Sequence, residues 1–377
     1  MPAVTDRAVR WLGRSGTVVL LGLALTATAA GPARADAIRD RQWHLAALHA
    51  SEAHAVNQGE GVTVAVVDSG VAAGHPDLEG NVLPGVDLTG TTPDGRTDTH
   101  GHGTSMASDI AAHGHGPDGR DGVLGLAPRA SILPVRVSTD GRGGDVGAGI
   151  RWAADHGARI INVSSVSPDL STVREATSYA LDKGAVLVAG TGNDGTSGVG
   201  APAMYPGVVA VGGLDRTGAL WARSSRGPET VITAPAVDIV STDPGGRYAI
   251  ANGTSDATAL VSATVALIWS RYPQLDAHNV IHRLVATADH RGESGRNGSY
   301  GFGAVNPYRA LTESVQAVAV SPLAAPTSAP LTGAPPVEAV TAARPAGGPV
   351  RVLAALAGGG ALLLALGTVV AVRRRRR

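Results

Sequence analysis

The chain has 377 residues, 44% of them apolar, with 51 glycines, no cysteine, and 31 basic against 31 acidic side chains. That length admits one large wound-sheet domain or two average ones. The lack of cysteine excludes disulfide staples and thiolate metal sites, so stability must come from a buried core. The even charge balance hides an asymmetry: without residues 1–35 and 351–377, 21 basic residues face 30 acidic ones, and a body of such negative charge argues against nucleic acid as a partner.

The two ends set the expected location. Arg7, Arg10 and Arg14 precede an apolar run over 17–30 and the small-x-small string Ala33-Arg34-Ala35, the layout of a signal peptide comprising residues 1–35. Residues 36–60 make a short leader, too short for a folded prodomain, with Trp43 and Leu45 expected to pack it onto the folded domain at 61–313. Residues 314–350 are nearly all Ala, Pro, Val, Ser, Thr and Gly with seven prolines; they cannot form a core and are expected to be an extended stalk. The 21 apolar or small residues at 352–372 span roughly 30 Å as a helix, which predicts one C-terminal transmembrane helix over 351–372, held in membrane lipid. The arginines at 373–377 are then cytoplasmic by the positive-inside rule, and the body lies outside the cell. A cytosolic soluble protein is excluded.

Within 61–313, short apolar runs alternate with amphipathic stretches, the pattern of an α/β fold with a mostly parallel wound sheet and helices on both faces. Runs at 62–67, 132–137, 159–163, 185–189 and 208–211 predict buried strands. Helical spacing occurs at 145–156 and at 172–183, the latter with Thr172 and Glu175 in capping-box register and Gly184 as its stop. Residues 254–270 are apolar on nearly every side, which predicts a helix inside the protein. Its length and the polar Ser255, Asp256, Ser262 and Ser270 argue against a second membrane span.

Four strings carry chemistry. Asp68 ends the run Val64-Ala65-Val66-Val67 and precedes Ser69-Gly70; a charge there is costly unless something binds it, although capping of the following turn would also explain it. In Asp98-Thr99-His100-Gly101-His102-Gly103-Thr104 an imidazole enters a helix start. The two histidines, two residues apart in a Gly-rich turn, do not converge on one ion as an i, i+4 pair would, so no metal is expected. His113 and His115 repeat the His-Gly-His string and are expected in a mobile surface turn. Asn193, in Gly192-Asn193-Asp194-Gly195 after a strand, can aim its amide at a developing oxyanion or simply make a turn. Ser255, in Asn252-Gly253-Thr254-Ser255, stands at the start of the buried helix, where bare N–H groups favour an anionic oxygen; an N-cap role is the plainer alternative. Together the four supply an orienter, a base, an oxyanion donor and a nucleophile, in the Asp, His, Ser order of subtilisin.

Over about residues 43–311 the chain resembles the subtilisin-like serine peptidases. The motifs are Asp68-Ser69-Gly70, His75-Pro76-Asp77-Leu78, His102-Gly103-Thr104, Leu133-Pro134-Val135, Gly192-Asn193 and Gly253-Thr254-Ser255. Within that family it is similar to the mycosins, the membrane-anchored peptidases that accompany type VII secretion in actinobacteria. The cues are Arg41-Gln42-Trp43-His44-Leu45, Ala286-Thr287-Ala288-Asp289, Tyr300-Gly301-Phe302-Gly303, the stalk and the single span. The resemblance implies a subtilisin-like fold, a catalytic triad of Asp68, His102 and Ser255, Asn193 in the oxyanion hole, polypeptide substrates, secretion machinery as a partner and no cofactor. It carries no local motif for structural calcium.

Departures from the family lie at the site. Ser255 is followed by Asp256, and Ala259 stands where most members have Pro. Ser164, Ser165 and Val166 occupy the substrate-binding edge where the family carries Ser-Leu-Gly, and Thr191 replaces Ala. A valine at the glycine position implies either a narrowed pocket or a shifted strand, and with it an altered substrate preference. A second class of function, a scaffold for the secretion complex with secondary or no proteolysis, is compatible with these changes.

Overall fold

In the computed structural model, which describes residues 37–141, 144–195 and 198–323, the apolar runs become strands of one sheet. In chain order the elements are α1 (Trp43–Ala47), α2 (Ala50–Val56), β1 (Thr63–Asp68), β2 (Val86–Asp87), α3 (His102–Ala111), β3 (His113–His115), β4 (Asp121–Leu124), β5 (Ser131–Arg136), α4 (Val146–Asp155) and β6 (Ile160–Val163). There follow α5 (Ser171–Asp182), β7 (Val186–Gly190), β8 (Val209–Leu214), β9 (Ile232–Pro235), β10 (Ile239–Asp243), β11 (Arg247–Ala251), α6 (Thr254–Arg271), α7 (Ala277–Ala286) and α8 (Pro307–Thr312). The large sheet runs β2-β5-β1-β6-β7-β8-β9 with every pairing parallel, while β3-β4 and β10-β11 form separate antiparallel pairs.

All five expected strands are present, displaced by at most three residues at either end. Their interiors are sealed: Val64, Ala65, Val66 and Val67 of β1 have no exposed surface, as a parallel sheet covered on both faces requires. From β5 the chain passes over β1 to form β6 on its other side, which makes the β1–β6 boundary a topological switch point. In open α/β sheets such a point, at the carboxyl ends of the strands, is where ligands bind.

The expected interior helix is α6, in which only Ser255, Ser270 and Arg271 escape burial. Its polar residues are answered within the core: Thr258 and Thr264 hydroxyls donate to the carbonyls of Thr254 (2.6 Å) and Leu260 (2.9 Å), and Ser262 donates to Asn162 Oδ1 (2.9 Å). The leader is bound as expected, with Trp43 Nε1 donating to the Val237 carbonyl (3.0 Å) and Leu45 packed on the core.

Three expectations need correction. His113–His115 is not a mobile turn but strand β3, because the carboxylate of Asp77, fully buried, bonds both His115 Nδ1 (2.5 Å) and the Val123 N–H on the partner strand (2.8 Å). Thr172 does not cap α5, which begins one residue earlier with Leu170 at the cap position and no side-chain cap. The run expected to leave the body at Ser314 stays on it through Leu323, which is buried in the core, and Val318 N–H donates to Asn279 Oδ1 (2.8 Å). The rest of that stalk, the signal peptide, the apolar run at 352–372 and the arginine tail lie outside the described residues. Among the described residues no helix is long and apolar enough to cross a membrane.

Candidate active site

Asp68 ends β1 with only 5% of its surface exposed. Its Oδ1 accepts the Ser69 N–H at 2.7 Å, and both carboxylate oxygens stand 2.9 Å from His102 Nδ1. This is the pairing that a buried carboxylate needs. His102 opens α3, and the turn that delivers it is tied by Asp98. Asp98 Oδ1 accepts the His100 and Gly101 N–H groups at 2.9 Å, and Oδ2 accepts the Thr104 N–H (3.0 Å) and hydroxyl (2.7 Å). Gly103 must be glycine, since a Cβ there would collide with the Gly70 carbonyl oxygen behind Asp68. The helix start and the strand end are thereby locked together.

Burial disfavours a charged His102. The charge and hydrogen bond of Asp68 outweigh it, with further support from Asp256 and Asp98, and the imidazole pKa is raised to about 9. His100 lies beside His102 with ring centres 6.4 Å apart and makes no bond to Asp68, so only the second histidine of the string joins the carboxylate. Among the described residues no group of three His, Asp or Glu side chains could hold a metal ion.

Ser255 lies in the first turn of α6, where amide N–H groups lack an intrahelical acceptor. Gly253, not Ser255, occupies the cap position, which removes the plain capping explanation. The Ser255 hydroxyl donates to the Ser164 carbonyl (2.9 Å) and the Ser164 hydroxyl donates back to the Ser255 carbonyl (3.0 Å), fastening the end of β6 to the helix start. Asn193, beyond β7, uses its Oδ1 to accept the Thr254 N–H (2.9 Å) and hydroxyl (3.0 Å). An amide whose oxygen is held on one side presents its NH₂ on the other.

His102, Asn193 and Ser255 line one cleft of about 500 Å³ together with Ser164, Ser165 and Val166. Asp68 stands behind His102, outside the lining. Every residue expected at the site is therefore brought together. Val166 is 48% exposed and faces Gly200, where a Cβ would strike its Cγ1. Sequence reasoning missed the role of Asp98, whose signal was an Asp followed six residues later by Thr at a helix start. It also missed the burial of Asp256, which in sequence reads only as a polar helix residue. A hydroxyl at a helix N-terminus, an oriented imidazole and an amide donor around one cleft can perform nucleophilic acyl transfer.

Comparison with known proteins gives the same answer. Residues 59–303 match the family model described as the subtilase family. Subtilisin DY of Bacillus licheniformis is 38% identical over 257 residues, which cover 66% of this chain and 90% of that protein. Subtilisin E of Bacillus subtilis is 39% identical over 256 residues, covering 66% and 65%. Among solved structures, MycP1 from Mycobacterium smegmatis superposes with a TM-score of 0.67 at 29% identity, covering 80% of this chain and 90% of that one. A MycP1 described as an essential component of the type VII (ESX-1) secretion system superposes with a TM-score of 0.66 at 32% identity, covering 75% and 91%. The chain belongs to the subtilase family and is a serine endopeptidase.

Proposed function

We propose that peptide bonds are cleaved here with Ser255 as nucleophile, His102 as general base and then acid, Asp68 holding the imidazole, and Asn193 with the Ser255 N–H receiving the oxyanion. The observation that carries the reading is the bond between His102 Nδ1 and both oxygens of a buried Asp68. It fixes the neutral tautomer with the proton on Nδ1, so that once the imidazolium has lost its second proton Nε2 is the nitrogen free to take one. The Ser255 hydroxyl turns from the Ser164 carbonyl to His102, gives up its proton as Oγ attacks the substrate carbonyl, and the carbonyl oxygen becomes an anion between Asn193 and the helix amide. His102 then passes the proton to the leaving amine, water repeats the sequence on the acyl-enzyme, and the enzyme is restored. Ser164, Ser165 and Val166 flank the substrate on one side of the cleft.

The wider setting is part of the same proposal. A signal peptide at 1–35, a stalk up to 350, a membrane helix over 351–372 and a cytoplasmic tail would put the catalytic body outside the cell on a single span, acting on proteins exported by a type VII secretion machinery. Its support is the sequence layout and the likeness to MycP1. The test is fluorophosphonate labelling: the wild-type protein reacts and Ser255→Ala, still folded by circular dichroism, does not. Equal labelling of both would remove Ser255 as nucleophile, and no labelling of the wild type would favour the scaffold reading.

A further inference from the structure

Two carboxyl groups that this mechanism leaves unused are buried behind the nucleophile. Asp256 follows Ser255 in the first turn of α6. Asp109 lies seven residues after His102 and so on the same face of α3, two turns along. Each is only 1% exposed, and the two carboxyl groups act on each other's charge. Among the described residues, no N–H or hydroxyl donor reaches either oxygen of Asp109 or Oδ1 of Asp256. Two carboxylates in contact away from water cannot both stay ionised, and a bond between them needs a proton.

We propose that Asp109 and Asp256 share one proton and act as a pair of positioning residues, with the remaining negative charge on Asp256 supporting the His102 imidazolium from the α6 side as Asp68 does from β1. The inference rests on His102 being the general base. Burial and the neighbouring Asp256 raise Asp109 well above the ordinary carboxyl range, so it keeps the proton and donates to Asp256. Asp256 is raised by burial but opposed by His102, to about 6, so it carries the charge above that pH. The other charged or titratable groups facing His102 are few. Asp98 approaches from the turn before α3, and His100 lies alongside. Arg136 of β5 is the register neighbour of Asp68, and Asp243 of β10 lies beside Gly101 and pairs with Arg247. The bonds that join α3 to β10, Ser105 with Ser241 and Thr242 with Ser108, are uncharged.

The consequence is a trade. An extra anion near His102 steadies the imidazolium formed during acyl transfer, but it also makes the free enzyme hold a proton on the base to higher pH, which displaces the acid limb of activity upward. The test follows kcat/KM and fluorophosphonate labelling against pH in the full-length protein. Asp256→Asn leaves a neutral pair, and its acid limb moves down by about one pH unit. Well below the wild-type midpoint, labelling relative to plateau then rises roughly tenfold. Asp109→Asn keeps an amide donor and the charge on Asp256, and its limb stays in place. An Asp256→Asn limb that does not move, or an equal shift in Asp109→Asn, overturns the proposal. Infrared difference spectra at neutral pH read the pair without activity. A protonated carboxyl band is expected in the wild type and in Asp256→Asn and is lost in Asp109→Asn; its absence from the wild type also overturns the proposal. If no variant labels but the band behaves as expected, it is the assignment of the base and nucleophile that fails.

Discussion

Val166→Gly is the perturbation that most directly tests how the cleft chooses its substrates. The Val166 isopropyl group spans the space between two walls: Cγ1 faces Gly200, and Cγ2 lies 3.6 Å from where a Cβ on Gly192 would stand. Its β-branch leaves little χ1 freedom to swing aside. With the substrate laid along Ser164–Val166 as proposed, a large side chain before the scissile bond must displace it or be excluded, and overpacking of a close-fitting site costs about 1 to 3 kcal/mol. That predicts a wild-type preference for Ala, Ser or Gly over Phe or Leu of roughly ten- to hundredfold in kcat/KM. In Val166→Gly the preference collapses while the labelling rate of Ser255 holds. Gly200→Ala adds a partner check: its Cβ collides with Val166 in the wild type, and all three of its nearest neighbours are removed in Val166→Gly, so the two substitutions should couple strongly in a double-mutant cycle. Profiling with a peptide library that found Phe or Leu favoured by the wild type, or no change on Val166→Gly, would refute the reasoning.

On the proposed mechanism, Asn193→Ala removes one oxyanion donor and should lower kcat by about 10²- to 10³-fold with KM little changed, measured by steady-state hydrolysis of a peptide anilide. Asp68→Asn should keep the fold yet lower kcat by about 10⁴-fold through the wrong imidazole tautomer; a loss under tenfold would place the orienting group elsewhere. His44 is fully buried, neither ring nitrogen finds a partner among the described residues, and burial lowers its pKa to about 3. Because the folded value lies below the ordinary 6.5, its contribution is constant above that pH and is lost as pH falls toward 3, at about 1.4 kcal/mol per pH unit. Urea melts between pH 7 and 5 in a Ser255→Ala background should show this slope, and His44→Leu should flatten it.

What could be read from the sequence was local. Asp68, His102, Asn193 and Ser255 each sit at the end of one element, next to glycines, so a short string carries both the position and the chemistry. The buried strands were legible for the same reason, being unbroken apolar runs. The elements that went unread depend on partners distant in the chain. β3 is held by Asp77, β10 is joined to α3 by Ser105 and Ser241, and β11 buries none of its five residues. Val166 was read as intruding on the cleft, and it lines it, but that it spans the gap to Gly200 follows only from how two loops meet.

Asp256 marks the limit most sharply. A lone carboxyl buried beside a nucleophile would cost several kcal/mol if charged and would be no support to His102 if neutral. Asp109 changes that arithmetic. With a proton held on Asp109, the pair offers Asp256 Oδ1 a donor that no other group among the described residues supplies, and the charge left behind is stabilised in turn by the imidazole it faces. Neither acid makes sense without the other, and the charge they share acts on His102, seven residues from one and on a different element from the other. Two unusual acids in separate motifs thus become one feature when the helices that carry them pack together, and the pair ties the protonation of the base to residues that never touch the substrate.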